Sequence, residues 1–258
     1  MRKSRAPEYY RERIRKALAR NRWGMKAGYG RVILTENRGL RTYNNIFRAG
    51  TGCNIVDSLE GLKRKKLVIV DDGAGRKGRF LVELKKALLE RGIKSRTIAV
   101  SLRKRKGIER NREKGLIDEA AYGPAEEYVP REPVDAIFSV LGSVQYVQNL
   151  VKKDHLLKYA HSLRKGGIMM LGFYVNRAGT HRPEEVELRR GLSKSTEGRE
   201  GNFLQEYMAR VMDGDMKDDF EGVKRAFEKR GFEARFEPVP FNTIRFYPNW
   251  VLVLKKLK

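Results

Sequence analysis

The stretch VIVDDGAGRKGRF, residues 68–80, decides the fold. It opens with an apolar, β-branched run, which is typical of a strand buried on both faces of a parallel sheet. The run ends in Asp71 and Asp72, and three glycines follow before apolar residues resume at helical spacing. Such a turn lets the main chain approach a ligand, which can meet the free N–H groups of the helix. The G-x-G-x-x-G spacing that begins at Gly73 is weak evidence alone, and its strand–turn–helix setting strengthens it.

Strands alternate with helices along most of the remaining chain. Buried-strand patterns recur at 96–102, 134–142 and 167–175, with helical periodicity between them. This rhythm predicts a parallel sheet with helices on both faces. The end of the chain differs, because 232–239 and 249–257 are strand patterns with no helix between them. We therefore predict an α/β fold whose mostly parallel sheet closes with a C-terminal antiparallel hairpin.

The composition indicates a polyanionic partner. The 258 residues include 56 Lys and Arg against 32 Asp and Glu, which gives a formal net charge of +24. A surface rich in ion pairs explains a high charged fraction but not this imbalance. Nucleic acid is the common polyanionic partner of such a chain. A basic surface without a dedicated partner is the alternative.

The apolar segments of the chain are short. The longest, near residues 168–175, is far below the roughly 20 residues of a membrane-spanning helix. The N-terminal segment 1–22 has no apolar stretch of the kind found in signal peptides. The single cysteine, Cys53, leaves no internal disulfide and fits a reducing compartment. We expect a cytoplasmic protein that does not associate with membranes.

Two basic segments are the candidates for contacting nucleic acid. One is a predicted amphipathic helix over 7–22, in which Tyr9 and Tyr10 accompany the arginines, and the other is the segment 103–115. Basic residues neutralise phosphates, and aromatic rings stack on unpaired bases. A solvated helix face is the alternative for each segment. We expect RNA rather than DNA, contacted by Arg11, Arg15, Arg22, Arg103, Lys104, Arg105 and Lys106.

Two classes of cofactor fit a glycine turn after a first strand. Dinucleotide sites usually have an apolar strand that runs into the first glycine, and an acid about twenty residues later for the ribose. Here Asp71 and Asp72 precede Gly73 directly. Their charge repels a pyrophosphate, but it can pair with a cationic amino-acid head group such as that of S-adenosylmethionine.

Several segments resemble the class I, Rossmann-like S-adenosylmethionine-dependent methyltransferases. VIVDDGAGRKGRFLVEL looks like motif I of that family, D/E-x-G-x-G-x-G. The segments 122–130, 134–147 and 163–173 are similar to the family's G-D-A-E-E-L-P segment, its fourth strand with the following turn, and its L-K-P-G-G turn. The terminal hairpin matches the family's sixth and seventh strands. The resemblance covers roughly 65–175 and 217–258, in the family's order.

The resemblance implies a doubly wound, seven-stranded α/β domain over 65–258, preceded by a basic, mainly helical extension over 1–64. It also implies S-adenosylmethionine as the cofactor and methyl transfer as the reaction. The polar insertion at about 176–216 lies where the family often builds elements that recognise the methyl acceptor. The implied cofactor-binding residues are Asp71, Gly73, Ala74, Gly75, Gly78, Ser101, Ala125, Glu126, Ser139 and Leu141.

The sequence departs from the family's pattern at three places. The glycine loop has one extra residue at Arg76-Lys77, Ser101 stands where an acid usually binds the ribose, and Pro124 replaces an aspartate. Arginines near a missing acid fit the 2′-phosphate of NADP, so an NADP-dependent enzyme stays open. A nucleic-acid-binding protein on a methyltransferase scaffold that has lost catalysis also stays open, as does a small-molecule methyltransferase.

No motif identifies a catalytic residue. The fourth strand lacks the N/D-P-P-Y/F tetrapeptide of enzymes that methylate exocyclic amines. The candidates are His181, which follows the fifth strand, and Tyr146, which follows the fourth. We predict that His155 and His161 are surface residues of a helix and that Cys53 is a small buried hydrophobic residue. No metal site is expected.

Overall fold

The computed structural model describes residues 7–20, 38–140, 142, 149–173, 224–239 and 250–258. Six helices lie within these ranges: α1 (Pro7–Arg20), α2 (Leu40–Thr51), α3 (Ile55–Glu60), α4 (Arg79–Glu90), α5 (Lys106–Glu113) and α6 (Asn149–Ser162). The strands are β1 (Lys66–Asp72), β2 (Lys94–Ser101), β3 (Glu119–Tyr122), β4 (Val134–Val140), β5 (Leu163–Phe173), β6 (Phe232–Pro238) and β7 (Trp250–Lys256). A short helical stretch over 224–228 precedes β6.

The seven strands form one sheet in the order β3-β2-β1-β4-β5-β7-β6. Strands β1 to β5 run parallel, with β1 between β2 and β4. Strand β7 is antiparallel to both β5 and β6. The predicted α/β fold, with its C-terminal antiparallel hairpin, is confirmed. Strand β3 was missed by the residue pattern, because its four residues, EAAY, are half-buried or exposed.

The sheet divides the core into two layers. On one face, α2, α3 and α4 cover a cluster that includes Tyr43, Phe80 and Phe138. On the other face, α6 packs against the sheet, and α1 packs against α6. The connection from β3 to β4 contains no helix, so α1, from the N-terminal segment, supplies a second helix on that face. Arg13 and Asp154 join the two helices in an ion pair of 2.9 Å.

Three predictions about single residues are corrected by the structure. His155 is fully buried, because it lies on the inner face of α6 beside Asp72. His161 is half-buried, and its Nε2 lies 3.4 Å from the Tyr10 hydroxyl of α1. Cys53 is exposed, because it lies in the turn that follows the left-handed C-cap Gly52 of α2. Among the described residues, no helix combines the length and apolarity needed to cross a bilayer.

Candidate cofactor site

The glycine turn closes the gap between the carboxyl ends of β1, β2 and β4. The amides of Gly73 and Ala74 donate to the Val100 oxygen of β2, at 3.0 and 3.2 Å. Gly73 has a φ of +86°, and a Cβ there would lie 2.5 Å from the Cα of Gly142, which follows β4. A side chain at Gly73 would therefore push the two loops apart. Gly75 and Gly78, also at positive φ, complete the turn into α4.

Asp71 lies at the end of β1, fully buried beneath this turn. Its Oδ1 accepts a hydrogen bond of 2.9 Å from the hydroxyl of Tyr43. Its Oδ2 is buried and has no hydrogen-bond partner among the described residues. Burial raises the pKa of Asp71 to about 8, and the neighbouring Asp72 charge adds to the rise, while the Tyr43 hydrogen bond and the Arg38 charge oppose it. The site therefore offers a buried acceptor that a cationic ligand would complete.

The residues that hold Asp71 come from the N-terminal segment. The Tyr43 ring of α2 stacks on Phe80, with ring centroids 3.7 Å apart, so the hydroxyl is aimed at the carboxylate by packing. Arg38 precedes the same helix, and its Nη1 donates to the Val140 oxygen at the end of β4, at 3.3 Å. Sequence analysis missed both residues, since neither lies in a recognisable motif.

Ser139 and Ser101 are the polar side chains at the ends of β4 and β2. Ser139 is buried, and its Oγ has no hydrogen-bond partner among the described residues. The Oγ of Ser101 donates to the Arg103 oxygen at 3.1 Å. A hydroxyl therefore stands where the family has a carboxylate for the ribose. It accepts a hydrogen bond from a ribose hydroxyl less strongly than a charged group does.

Ala125 and Glu126 lie in the turn that follows β3. Both are buried. Two main-chain hydrogen bonds close the turn: the Glu127 amide donates to the Pro124 oxygen at 3.0 Å, and the Tyr128 amide donates to the Ala125 oxygen at 3.2 Å. The amide of Gly123 donates to the Ser101 oxygen at 3.1 Å, which joins the turn to the end of β2. The predicted cofactor residues of β1, β2, β4 and the β3 turn thus share one edge of the sheet.

Basic side chains line the same edge. Arg76 and Lys77 of the glycine turn are exposed, as are Arg103, Lys104 and Lys106, whereas Arg105 is half-buried. The two groups are joined through α5, because the Asn111 amide donates to the Lys77 oxygen at 2.7 Å. A Cβ at Gly107 would lie 2.6 Å from the Arg76 oxygen, so the two segments pack main chain to main chain.

The remaining predicted residues are dispersed or lie outside the described ranges. On α1, Arg15 is exposed and Arg11 is half-buried. Leu141, Tyr146, His181 and Arg22 fall outside the described residues, as does the insertion at 176–216. Within the described part of the chain, no cluster of three or more His, Cys, Asp or Glu residues forms a metal site.

Comparisons of the sequence with known families and curated proteins identify no family for this chain. No family model matches it. Among curated proteins, a chloroplastic lipoxygenase 2.1 of Hordeum vulgare is 38% identical over 92 residues, which cover 31% of this chain and 10% of that protein. The chain thus spans only a tenth of that relative, and the likeness identifies no family.

Three solved structures have similar folds. A candidate class I S-adenosylmethionine-dependent methyltransferase of Listeria monocytogenes is 13% identical and covers 98% of this chain and 69% of its own, with a TM-score of 0.52. A candidate O-methyltransferase of Nostoc punctiforme is 13% identical over 84% of this chain and 57% of its own, with a TM-score of 0.50. The plantazolicin methyltransferase BpumL, bound to S-adenosylhomocysteine, is 10% identical over 84% and 82%, with a TM-score of 0.50. This chain therefore has the class I methyltransferase fold, as its motifs predict.

Proposed function

We propose that this protein is an S-adenosylmethionine-dependent methyltransferase that acts on nucleic acid, RNA rather than DNA. The observation that carries the proposal is the buried Asp71 carboxylate, whose Oδ2 has no partner among the described residues. It lies beneath a glycine turn at the end of β1, in a sheet with the class I methyltransferase strand order. A cationic amino group fits that acceptor, whereas a pyrophosphate does not.

In this proposal, the residues of this chain bind the cofactor and orient it. Asp71 receives the ligand's ammonium group, and the arriving positive charge favours ionisation of the carboxyl, whose pKa is about 8 without it. Tyr43 holds the carboxylate in place through its 2.9 Å hydrogen bond. Ser139 presents its unpartnered hydroxyl on the β4 side of the same edge. S-adenosylmethionine, when bound, supplies a sulfonium methyl group for transfer to a nucleophile.

Positioning of the acceptor provides much of the rate acceleration in such a transfer. A general base helps only where the acceptor loses a proton. For that role we propose His181 or Tyr146, which follow β5 and β4 in the sequence. The insertion at 176–216 belongs to the same proposal, as the element that recognises the acceptor.

The basic edge supports nucleic acid as the acceptor. Arg76 and Lys77 on the glycine turn adjoin the exposed cations Arg103, Lys104 and Lys106. These charges lie beside the ribose end of the proposed cofactor site, where they can neutralise phosphates of a bound strand. Tyr9 on α1 is 37% exposed and can stack on an unpaired base, which single-stranded RNA offers. We place the protein in the cytoplasm.

Calorimetric titration with S-adenosylhomocysteine tests the proposal. We expect micromolar binding by the wild-type protein and a loss of at least about tenfold in Asp71→Asn, because a charge-assisted hydrogen bond is removed. The matched control is Glu90→Gln, an exposed acid at the end of α4. Equal affinity in wild type and Asp71→Asn contradicts the assigned role. Binding of NADPH in place of S-adenosylhomocysteine makes the protein an NADP-dependent enzyme instead.

Two other functions remain as outcomes of this experiment. The second candidate is a small-molecule acceptor, since the similar folds include a plantazolicin methyltransferase. In that case, the protein binds S-adenosylhomocysteine but shows only weak, unproductive binding to RNA. A non-catalytic nucleic-acid-binding protein binds RNA in a salt-dependent way and binds no cofactor. Fluorescence anisotropy with labelled single-stranded RNA, measured beside the calorimetry, separates the three.

A further inference from the structure

A cluster of buried ionisable side chains lies behind β1, on the face opposite Tyr43. Asp72, Glu126, His155 and Lys158 are each at most 4% exposed. The Oδ2 of Asp72 lies 3.9 Å from Nε2 of His155, and the Nζ of Lys158 lies 4.6 Å from the ring centroid of Tyr159. Asp72, His155 and Lys158 have no part in the mechanism proposed above.

Lys158 binds the main chain of one particular turn. Its Nζ donates to the Ala125 oxygen at 2.7 Å and to the Glu126 oxygen at 3.0 Å. These oxygens belong to the turn after β3, which is also closed by the main-chain hydrogen bonds that the Glu127 and Tyr128 amides donate. Helix α6 therefore reaches across the sheet face and holds this turn through two hydrogen bonds from one ammonium group.

Lys158 is buried among charged groups that act on its pKa in both directions. Burial lowers the pKa of Lys158 to about 7, and the Arg11 charge lowers it further, while the charges of Asp72, Glu126 and Glu127 oppose the fall. Placing an ammonium group here costs desolvation energy that an apolar side chain of similar volume would avoid. The two hydrogen bonds to the turn offset part of that cost.

We propose that Lys158 is a positioning residue for the adenosine end of the cofactor site. Its ammonium group fixes the turn over 124–127 against α6, and thereby holds Ala125 and Glu126, two of the cofactor-binding residues that the resemblance implies, in position for the adenine. The inference rests on the proposed function, because the turn meets an adenine only if the protein binds S-adenosylmethionine. It adds a residue that lies on the opposite face of the sheet from Tyr43.

Two variants of α6 test the inference. Lys158→Met removes both hydrogen bonds while keeping the side-chain volume, and Lys153→Met changes an exposed lysine of the same helix. We expect Lys158→Met to lower the hydrogen-exchange protection of the Glu127 and Tyr128 amides by at least about tenfold. It should weaken adenosine binding by a similar factor. Lys153→Met should change neither.

Adenosine is the chosen probe because it lacks the amino-acid group that Asp71 binds. The pH profile distinguishes positioning from mere packing. In the wild-type protein, protection of the two amides should rise as the pH rises above about 7, because the closed turn buries Lys158 and binds fewer protons than the open turn. The profile should be flat in Lys158→Met. The groups that act on the ammonium are the charges of Asp72, Glu126, Glu127 and Arg11 and the ring of Tyr159. His155 adjoins Asp72, and Tyr128 acts on Tyr159.

The outcomes separate the inference from the proposed function. Unchanged protection of Glu127 and Tyr128 in a folded Lys158→Met variant overturns the inference. If that variant does not fold, a pH-independent wild-type profile overturns it instead. Restored protection in Lys158→Arg, which keeps a charged donor, supports it. Failure of the wild-type protein to bind either S-adenosylhomocysteine or adenosine overturns the proposed function, and with it the cofactor role of Lys158.

Discussion

Two adjacent aspartates, Asp71 and Asp72, end β1, and their side chains lie on opposite faces of the sheet. Asp71 faces the layer of α2 and α4, where the Tyr43 hydroxyl donates to one oxygen and the other, buried oxygen has no partner among the described residues. Asp72 faces the layer of α6, where His155 lies 3.9 Å away and the Asp72 charge raises the pKa of Lys158. One carboxylate has an oxygen for which we propose a ligand, and the other is compensated by neighbouring side chains of the protein.

The difference follows from the alternation of side chains along a strand. Neighbouring residues of β1 point to opposite faces, so the same residue type has a proposed binding role on one face and a structural role on the other. The distinction predicts opposite responses to the same substitution at the two positions.

The largest effect is expected on the Asp72 face. Asp72→Asn removes the carboxylate that compensates the buried Lys158, and uncompensated buried charges are costly. We expect the free energy of unfolding to fall by about 3 kcal/mol, measured by urea denaturation at pH 6, where Lys158 is charged. The matched variant is Asp71→Asn, for which we expect no loss of stability, because at pH 6 the folded state must hold the Asp71 carboxyl protonated whereas the unfolded state does not. Equal losses in the two variants would remove the contrast between the faces.

A smaller effect is expected from pH. The pKa of Asp71 rises from 3.8 to about 8, so the folded state binds more protons than the unfolded state between these values. Stability therefore falls as the pH rises from about 4 to about 8. The pKa of Lys158 falls from 10.5 to about 7, so the folded state binds fewer protons in that interval, and stability rises there with pH.

The two faces thus contribute pH dependences of opposite sign, which single variants isolate. Wild-type protein should lose about 2 kcal/mol more than Asp71→Asn between pH 6 and pH 7.5 in urea denaturation. Lys158→Met should lack the gain seen above pH 7. Parallel curves for wild type and Asp71→Asn would show that Asp71 titrates at its ordinary pKa.

The fold was predictable because its signals are local. The β-branched runs, the glycine turn at Gly73 and the helical periodicities each lie within a few consecutive residues. Strand β3 was not predicted, because its four half-buried or exposed residues show no clear alternation of apolar and polar side chains. The helices of the predicted 1–64 extension pack on the sheet as part of its two layers, which no local pattern reveals.

The candidate site was predictable only where a recognisable motif marks it. Asp71 and the glycines lie in the segment that resembles motif I, but Tyr43 reaches Asp71 from 28 residues away in the sequence. Lys158 reaches Ala125 from 33 residues away. On a helix of mixed polarity, His155 and Lys158 look like solvated residues, and only packing shows that their side of α6 faces the sheet. Contacts of this kind depend on tertiary structure rather than on residue type.

The smallest effect is expected at Tyr43, and it sharpens the account of the Asp71 face. Tyr43→Phe keeps the ring stacked on Phe80 and removes only the hydroxyl that donates to Asp71. We expect a loss of about 1 kcal/mol in the free energy of unfolding, the usual value of one hydrogen bond. Because that bond lowers the pKa of Asp71, the pKa should rise further in the variant.

Carboxyl carbon chemical shifts, followed by NMR across the titration, measure that change directly. Tyr122→Phe, at the exposed end of β3, is the control and should leave the Asp71 titration unchanged. A fall in the Asp71 pKa in Tyr43→Phe would mean that water enters and solvates the carboxylate once the hydroxyl is gone. The Asp71 face would then be open to solvent, and its unpartnered oxygen would no longer indicate a ligand.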